Sequence, residues 1–111
     1  MNMVLQYQPG QTVSIWFETL DLGQRSDGYS IPTISRIIFP SLNVATGYPQ
    51  SMIRYDVGLY YFQFTIPSGA VSVGTYVVDV SYVDPATGNP ETTFIQVIVS
   101  APFGLFSVSV P

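Results

Sequence analysis

The sequence contains no cysteine, no histidine and no lysine, and only 9% of its 111 residues are charged. Each absence removes a class of chemistry. Without cysteine there is neither a disulfide framework nor a thiolate metal site, so stability has to come from packing. Without histidine, cysteine or lysine the usual general bases and nucleophiles are missing, and a phosphate-binding G-x-x-x-x-G-K-[ST] loop cannot be written. Positive charge is scarce as well: Arg25, Arg36 and Arg54 stand apart from one another against seven acidic residues, for a net charge of −4. Nucleic acid is therefore not an expected partner, because binding through phosphates needs a basic stripe that releases counterions.

Long apolar runs are lacking too. No stretch approaches the roughly 20 apolar residues of a membrane helix. Residues 1–7 carry neither the basic segment nor the unbroken apolar run of a secretory signal. No membrane partner is expected, and the chain reads as made and kept in the cytoplasm unless it is trimmed from a longer precursor. A typical soluble domain is about a quarter charged. This surface is then either built from uncharged serine, threonine, glutamine and asparagine or covered by a partner, which points toward assembly rather than catalysis.

What is present is a β pattern. Short runs rich in Val, Ile, Phe, Tyr and Thr alternate apolar and polar residues with period two, separated by Gly, Pro, Asn and Asp clusters. The length suits one domain that buries roughly two thirds of its unfolded surface. Seven strands are predicted, over 3–8, 12–20, 33–39, 51–57, 59–66, 75–83 and 92–100, with no helix. In the second, Val13, Ile15 and Phe17 share one face, and Ser14, Trp16 and Glu18 take the other, which points Trp16 away from the core. In the fifth and sixth, Tyr60, Phe62, Phe64 and Ile66 and then Tyr76, Val78, Val80 and Tyr82 form the expected centre of the core. Turn chemistry marks the breaks at Pro9-Gly10, Asp27-Gly28, Gly47-Tyr48-Pro49, Pro67-Ser68-Gly69 and the 84–90 segment. The 22–32 stretch is the other long connection.

The expected fold class is all-β: an immunoglobulin-like antiparallel β-sandwich of about seven strands over residues 1–100, followed by an apolar tail over 101–111. Tyr7-Gln8-Pro9-Gly10-Gln11-Thr12-Val13 resembles the Y-x-P-G-x-T-V opening of macroglobulin-like and related immunoglobulin-like modules. Asp56-Val57-Gly58-Leu59-Tyr60-Tyr61-Phe62 resembles their D-x-G-x-Y-x-F element, and Gly74-Thr75-Tyr76-Val77-Val78 their G-x-Y-x-V element. The resemblance covers roughly residues 7 to 99 and rests on turn glycines and core aromatics, so it implies fold and transfers no functional residue. The D-x-G-x-Y element is also similar to the tyrosine corner of antibody-type domains, although here it precedes the fifth strand and the flanking cysteines are absent.

Carboxylates are what an enzyme would have left. Asp21 with Asp27, or Asp84 with Glu91, can approach across loops as a glycosidase pair requires. The competing reading is turn capping, with Asx-turns at Asp27 before Gly28 and at Asp84 before Pro85. The 21–28 segment does not follow the D-x-[DN]-x-[DN]-G spacing of a calcium loop. No metal and no cofactor are expected. Among the aromatics, Trp16 with Tyr29, Tyr48 or Tyr55 is a candidate for stacking on a sugar ring or anchoring a protein. At Trp16 and Tyr48 interface burial and ordinary packing both remain open.

Two segments exceed the needs of a small sandwich. The run 93–99 is apolar on both faces, so its edge requires cover. The tail is apolar where a disordered tail is polar. It carries Phe103 and Leu105 and then alternates Phe106, Val108 and Val110 with Ser107 and Ser109. It reads as a docking strand, for its own sheet, a neighbouring copy or a larger partner. The candidate partner-binding residues are Trp16, Tyr48, Phe103, Leu105, Phe106, Val108 and Val110. The module looks like those that decorate tailed-phage capsids or occur in tails and fibres. That resemblance implies a non-enzymatic virion protein whose partners are a major capsid or other virion protein and copies of itself, as a homo-oligomer or part of a large assembly. A carbohydrate- or receptor-binding module and a subunit of a self-assembling filament are the alternatives.

Overall fold

The computed structural model describes residues 4–68 and 73–100. They form ten strands: β1 (Val4–Tyr7), β2 (Thr12–Glu18), β3 (Leu20–Asp21), β4 (Gln24–Arg25), β5 (Thr33–Ile38), β6 (Gln50–Ser51), β7 (Ile53–Asp56), β8 (Leu59–Thr65), β9 (Gly74–Val83) and β10 (Pro90–Val99). A five-stranded sheet has the order β1-β10-β9-β5-β6 and a three-stranded sheet the order β2-β8-β7. Val13, Ile15, Phe17, Tyr60 and Phe62 from the small sheet meet Ile34, Ile37, Tyr76, Val78, Val80, Ile95, Val97 and Val99 from the large one in one buried cluster. The two sheets thus face each other across a common core, as a β-sandwich requires. Burying each such side chain contributes about 1.5–3 kcal/mol.

The period-two pattern accounts for the faces. Along β2 the residues at 13, 15 and 17 are buried and those at 12, 16 and 18 exposed. The expected core strands are β8 and β9, each internal to its sheet. Phe64 and Tyr82 are only partly buried there. In β5, Ile34 and Ile37 are both buried although three positions apart. The register against β9 shifts between Ile34 and Arg36, and this irregularity returns the second isoleucine to the core.

Three features depart from the sequence reading. The run expected as one strand over 51–57 is divided between the sheets: Gln50–Ser51 pairs with β5 and Ile53–Asp56 with β8. Met52, 2% exposed, sits in the core at the crossing, and its N–H donates to the Pro32 carbonyl at 2.9 Å. The run expected over 12–20 ends at Glu18, opposite Leu59 at the start of β8; Thr19 N–H bonds to the Gly58 carbonyl in the β7–β8 turn, and Leu20–Asp21 then pairs with Gln24–Arg25 as a small hairpin. Its turn residues, Leu22 and Gly23, both have positive φ, 53° and 79°. Finally, β1 lies parallel to β10, with Val4 opposite Gln96 and Tyr7 opposite Val99, in sheets that are otherwise antiparallel. The apolar last strand is therefore no edge: β9 flanks one side and β1 the other. The tail at 101–111, with Phe103, Leu105, Phe106, Val108 and Val110, lies outside the described residues.

Candidate binding face

The outer face of the three-stranded sheet is built by register. Thr12 stands opposite Thr65, Ser14 opposite Gln63, Trp16 opposite Tyr61 and Glu18 opposite Leu59, and on the other side of β8 Ile53 stands opposite Tyr61. The hydroxyls of Thr12 and Thr65 are 3.2 Å apart, and the Gln63 side-chain amide donates to the Ser14 hydroxyl at 3.0 Å. Next in the ladder the rings of Trp16 and Tyr61 lie 5.1 Å apart with 36° between their planes. Tyr55 meets Trp16 edge-on, 5.2 Å and 87°. Such pairs contribute about 0.5–1.5 kcal/mol each beyond simple burial. They fix the rings while leaving Trp16 41%, Ile53 53% and Tyr55 66% exposed. The result is a firm aromatic and aliphatic patch bordered by uncharged polar side chains.

The expected outward direction of Trp16 is thus the observed one, and Tyr55 joins it. The other suggested companions do not. Tyr29 lies against Gly88 in the β9–β10 loop. Tyr48 is partly buried on the core, its ring 6.0 Å from that of Phe62, and desolvation raises its phenol pKa. It lines an open apolar cleft of about 300 Å³ with Phe39, Val44, Phe64 and Pro67. Tyr61 and Ile53 were not marked in the sequence as site residues, because only the cross-strand register brings them to Trp16.

The carboxylates near this sheet serve the backbone. Asp27 does not cap its own turn as expected but reaches the β7–β8 turn: its Oδ1 accepts from the Gly58 N–H at 2.9 Å and from the Tyr60 hydroxyl at 3.2 Å. Arg54 donates to both its oxygens at 3.1–3.3 Å. Hydrogen bonding from Arg54, then from Gly58, holds the Asp27 pKa down at about 2, against an ordinary 3.8. The Thr19 hydroxyl donates to the Ser26 carbonyl at 2.6 Å, and the Thr19 N–H to the Gly58 carbonyl at 2.9 Å. Elsewhere Asp79 pairs with Arg36, and Glu18 lies 3.8 Å from Arg25. Asp84 accepts from the Ala86 N–H at 2.8 Å, the Asx-turn expected of it.

Among the described residues no three acidic side chains gather as a metal site would need, and no helix is long and apolar enough to cross a membrane. No family model matches the chain, and no curated protein is significantly similar to it.

Proposed function

We propose that this chain is a non-enzymatic structural protein of a virion: an immunoglobulin-like module that decorates or cements a capsid by binding shell subunits and neighbouring copies of itself. The observation that carries the binding role is the exposed Trp16–Tyr55–Tyr61 patch with Ile53, on a surface of very low charge. Tyrosine and tryptophan held rigid are the residues that anchor protein interfaces. The immunoglobulin-like reading is supported by the strand order. β2, β8 and β7 oppose β5, β9 and β10 as strands B, E and D oppose C, F and G in that fold. The non-enzymatic reading is supported by the occupation of Asp27 and Asp79 in ion pairs and of Asp84 in a turn. The assignment to a virion rests on the resemblance of the module to phage decoration and fibre domains, an argument from fold. Cementing of this kind stabilises a shell by mass action, since the bound module favours the assembled state.

A second reading, a carbohydrate- or receptor-binding module, is favoured by the same rings, because aromatic faces stack on sugars and the bordering Ser14, Gln63, Thr12 and Thr65 are neutral hydrogen-bonding groups. Light scattering and oligosaccharide titration of the full chain and its Trp16→Ala variant separate the two. The structural reading expects association that the variant weakens, a stability loss of about 1–3 kcal/mol from the two ring pairs alone, and no affinity for saccharide. A strict monomer whose saccharide affinity disappears with Trp16→Ala overturns it in favour of the second. A stability loss of about 3–5 kcal/mol, as for a core aromatic, would remove Trp16 from either role.

A further inference from the structure

Charge is sorted along the strands. Thr12 of β2 faces Thr65 of β8 at one end of the sandwich, and Glu18 faces Leu59 at the other. The Glu18 end also holds Asp21, Asp27, Asp56, Asp84 and Glu91 with Arg25 and Arg54. Arg25 stands by Glu18, Asp27 binds Arg54 and the Gly58 N–H, and Gly28 closely approaches the Val83 carbonyl just before Asp84. These eight side chains carry the whole net charge of −4, because the remaining Arg36–Asp79 pair is neutral. The opposite end is built from segments 7–12, 39–48 and 65–68 with Ser100, none of which contains a charged residue. There Gly10 N–H donates to the Ile66 carbonyl, Ser100 N–H to the Tyr7 carbonyl, and Gly74 lies against Pro40. This uncharged end carries both a projection and a recess. Phe39 N–H donates to the Asn43 carbonyl and Leu42 N–H to the Phe39 carbonyl, each at 2.8 Å, closing a tight hairpin whose tip, Leu42, is 81% exposed. Beside it opens the cleft of about 300 Å³ between Phe39, Val44, Tyr48, Phe64 and Pro67. We propose that two copies of the chain pair end to end about a twofold axis through these uncharged ends, the Leu42 of each entering the cleft of the other. The inference rests on the assembly reading above and assigns one contact between copies, leaving the Trp16 patch for the next subunit.

Charge and shape argue for a second copy as the occupant. Copies of an acidic chain repel wherever their charged ends meet, and in this pairing those ends point away from each other. The ten residues of β9 alone span about 33 Å, several times the roughly 8 Å screening length at physiological salt. Repulsion across the pair is therefore negligible. A twofold contact uses one patch on both partners, so that patch has to be self-complementary. A projection and a recess on the same hairpin meet this condition: a single contact covers both leucines and fills both clefts. A segment of the same chain lying in the cleft would leave Leu42 in water, and a charged partner finds no counter-charge at this end among the described residues. Leu42 has φ 71°, a left-handed backbone that Asp and Asn adopt more readily than leucine. An aspartate there removes the apolar tip without straining the hairpin. Leu22 is equally exposed and also has a positive φ, but it shares a cleft with Asp21 and Arg25 at the charged end, which makes it the control.

Sedimentation of the full chain carrying Trp16→Ala isolates the end contact. That chain is expected to be a closed dimer; adding Leu42→Asp halves its mass to a monomer, and adding Leu22→Asp leaves the dimer in place. A Trp16→Ala chain that is already monomeric, or a dimer that survives Leu42→Asp, overturns the proposal. The unsubstituted chain then decides the broader reading: if it associates, only the end contact falls, and if it is a monomer the assembly reading falls with it. Single-cysteine chains give a second measurement, since cysteine is absent from the native sequence. A tagged full chain carrying Leu42→Cys is mixed with an untagged one carrying Thr46→Cys, a position that lines the cleft, and the mixture is oxidised. The intact Leu42 of the second chain still anchors the pair. The mixed disulfide dimer is expected in excess of the share that random pairing gives. A random distribution overturns the proposal, and so does the lack of any cross-link, the result expected if segment 69–72 or 101–111 of the same chain fills the cleft.

Discussion

Replacing Gly58 by alanine tests the node that joins the 22–32 connection to the small sheet. Gly58 has φ +62°, where an L-residue costs roughly 1–2 kcal/mol. A Cβ at this position would lie 2.6 Å from the Ser26 nitrogen and 2.7 Å from the Thr19 carbonyl oxygen, both backbone atoms. Those atoms cannot swing aside, because Ser26 N–H donates to the Thr19 carbonyl and Thr19 N–H to the Gly58 carbonyl. Overpacking of this kind adds about 1–3 kcal/mol. The expected loss is then about 2–5 kcal/mol, a large share of the stability of a domain this size. Gly23→Ala is the matched control, with φ +79° but no atom within 4 Å of the added Cβ. Both variants gain the same entropy benefit in the unfolded chain, so it cancels between them. Urea denaturation should place Gly58→Ala below Gly23→Ala by about 1–3 kcal/mol, the collision alone. Equal losses for the two variants would refute the close approach of the three segments.

Leu22, 97% exposed at φ 53°, precedes Gly23 in a two-residue turn where Asn-Gly is the favoured pair. Leu22→Asn should stabilise the fold by about 1 kcal/mol, seen as a raised melting temperature, and a lowered one would contradict the turn geometry. Asp27 is charged in the fold down to about pH 2 but only to about 3.8 in an ordinary environment, so its contribution is full above 3.8 and disappears as the pH falls toward 2. Melts of wild type and Asp27→Asn should therefore differ at neutral pH and converge through that window; a constant gap would show that ionisation of Asp27 is not what stabilises.

The strands were legible because each buries one face, and period two is a local signal. The inward row of β2, the outward Trp16 and the two central strands followed from it directly. What was not legible depends on partners distant in the chain. Nothing local in Gln50–Asp56 says that Met52 is where the chain passes from one sheet to the other, since both halves are equally extended. The parallel seat of β1 on β10 joins residues more than ninety positions apart. The aromatic patch shows the same division: Trp16 was visible, whereas Tyr61 and Ile53 reach it only through register. Asp27 beside Gly28 carries a turn signature, and its actual service to Gly58 and Arg54 is a tertiary fact.

The parallel pairing of β1 with β10 also determines how the molecule bears load. The two strands run the same way, so Val4 and Val99 lie at opposite ends of the pair. A pull between those ends slides one strand along the other and strains the whole ladder at once, instead of opening it pair by pair like a zip. In a module held by its two ends, that arrangement resists stretching where an antiparallel pair of terminal strands would peel.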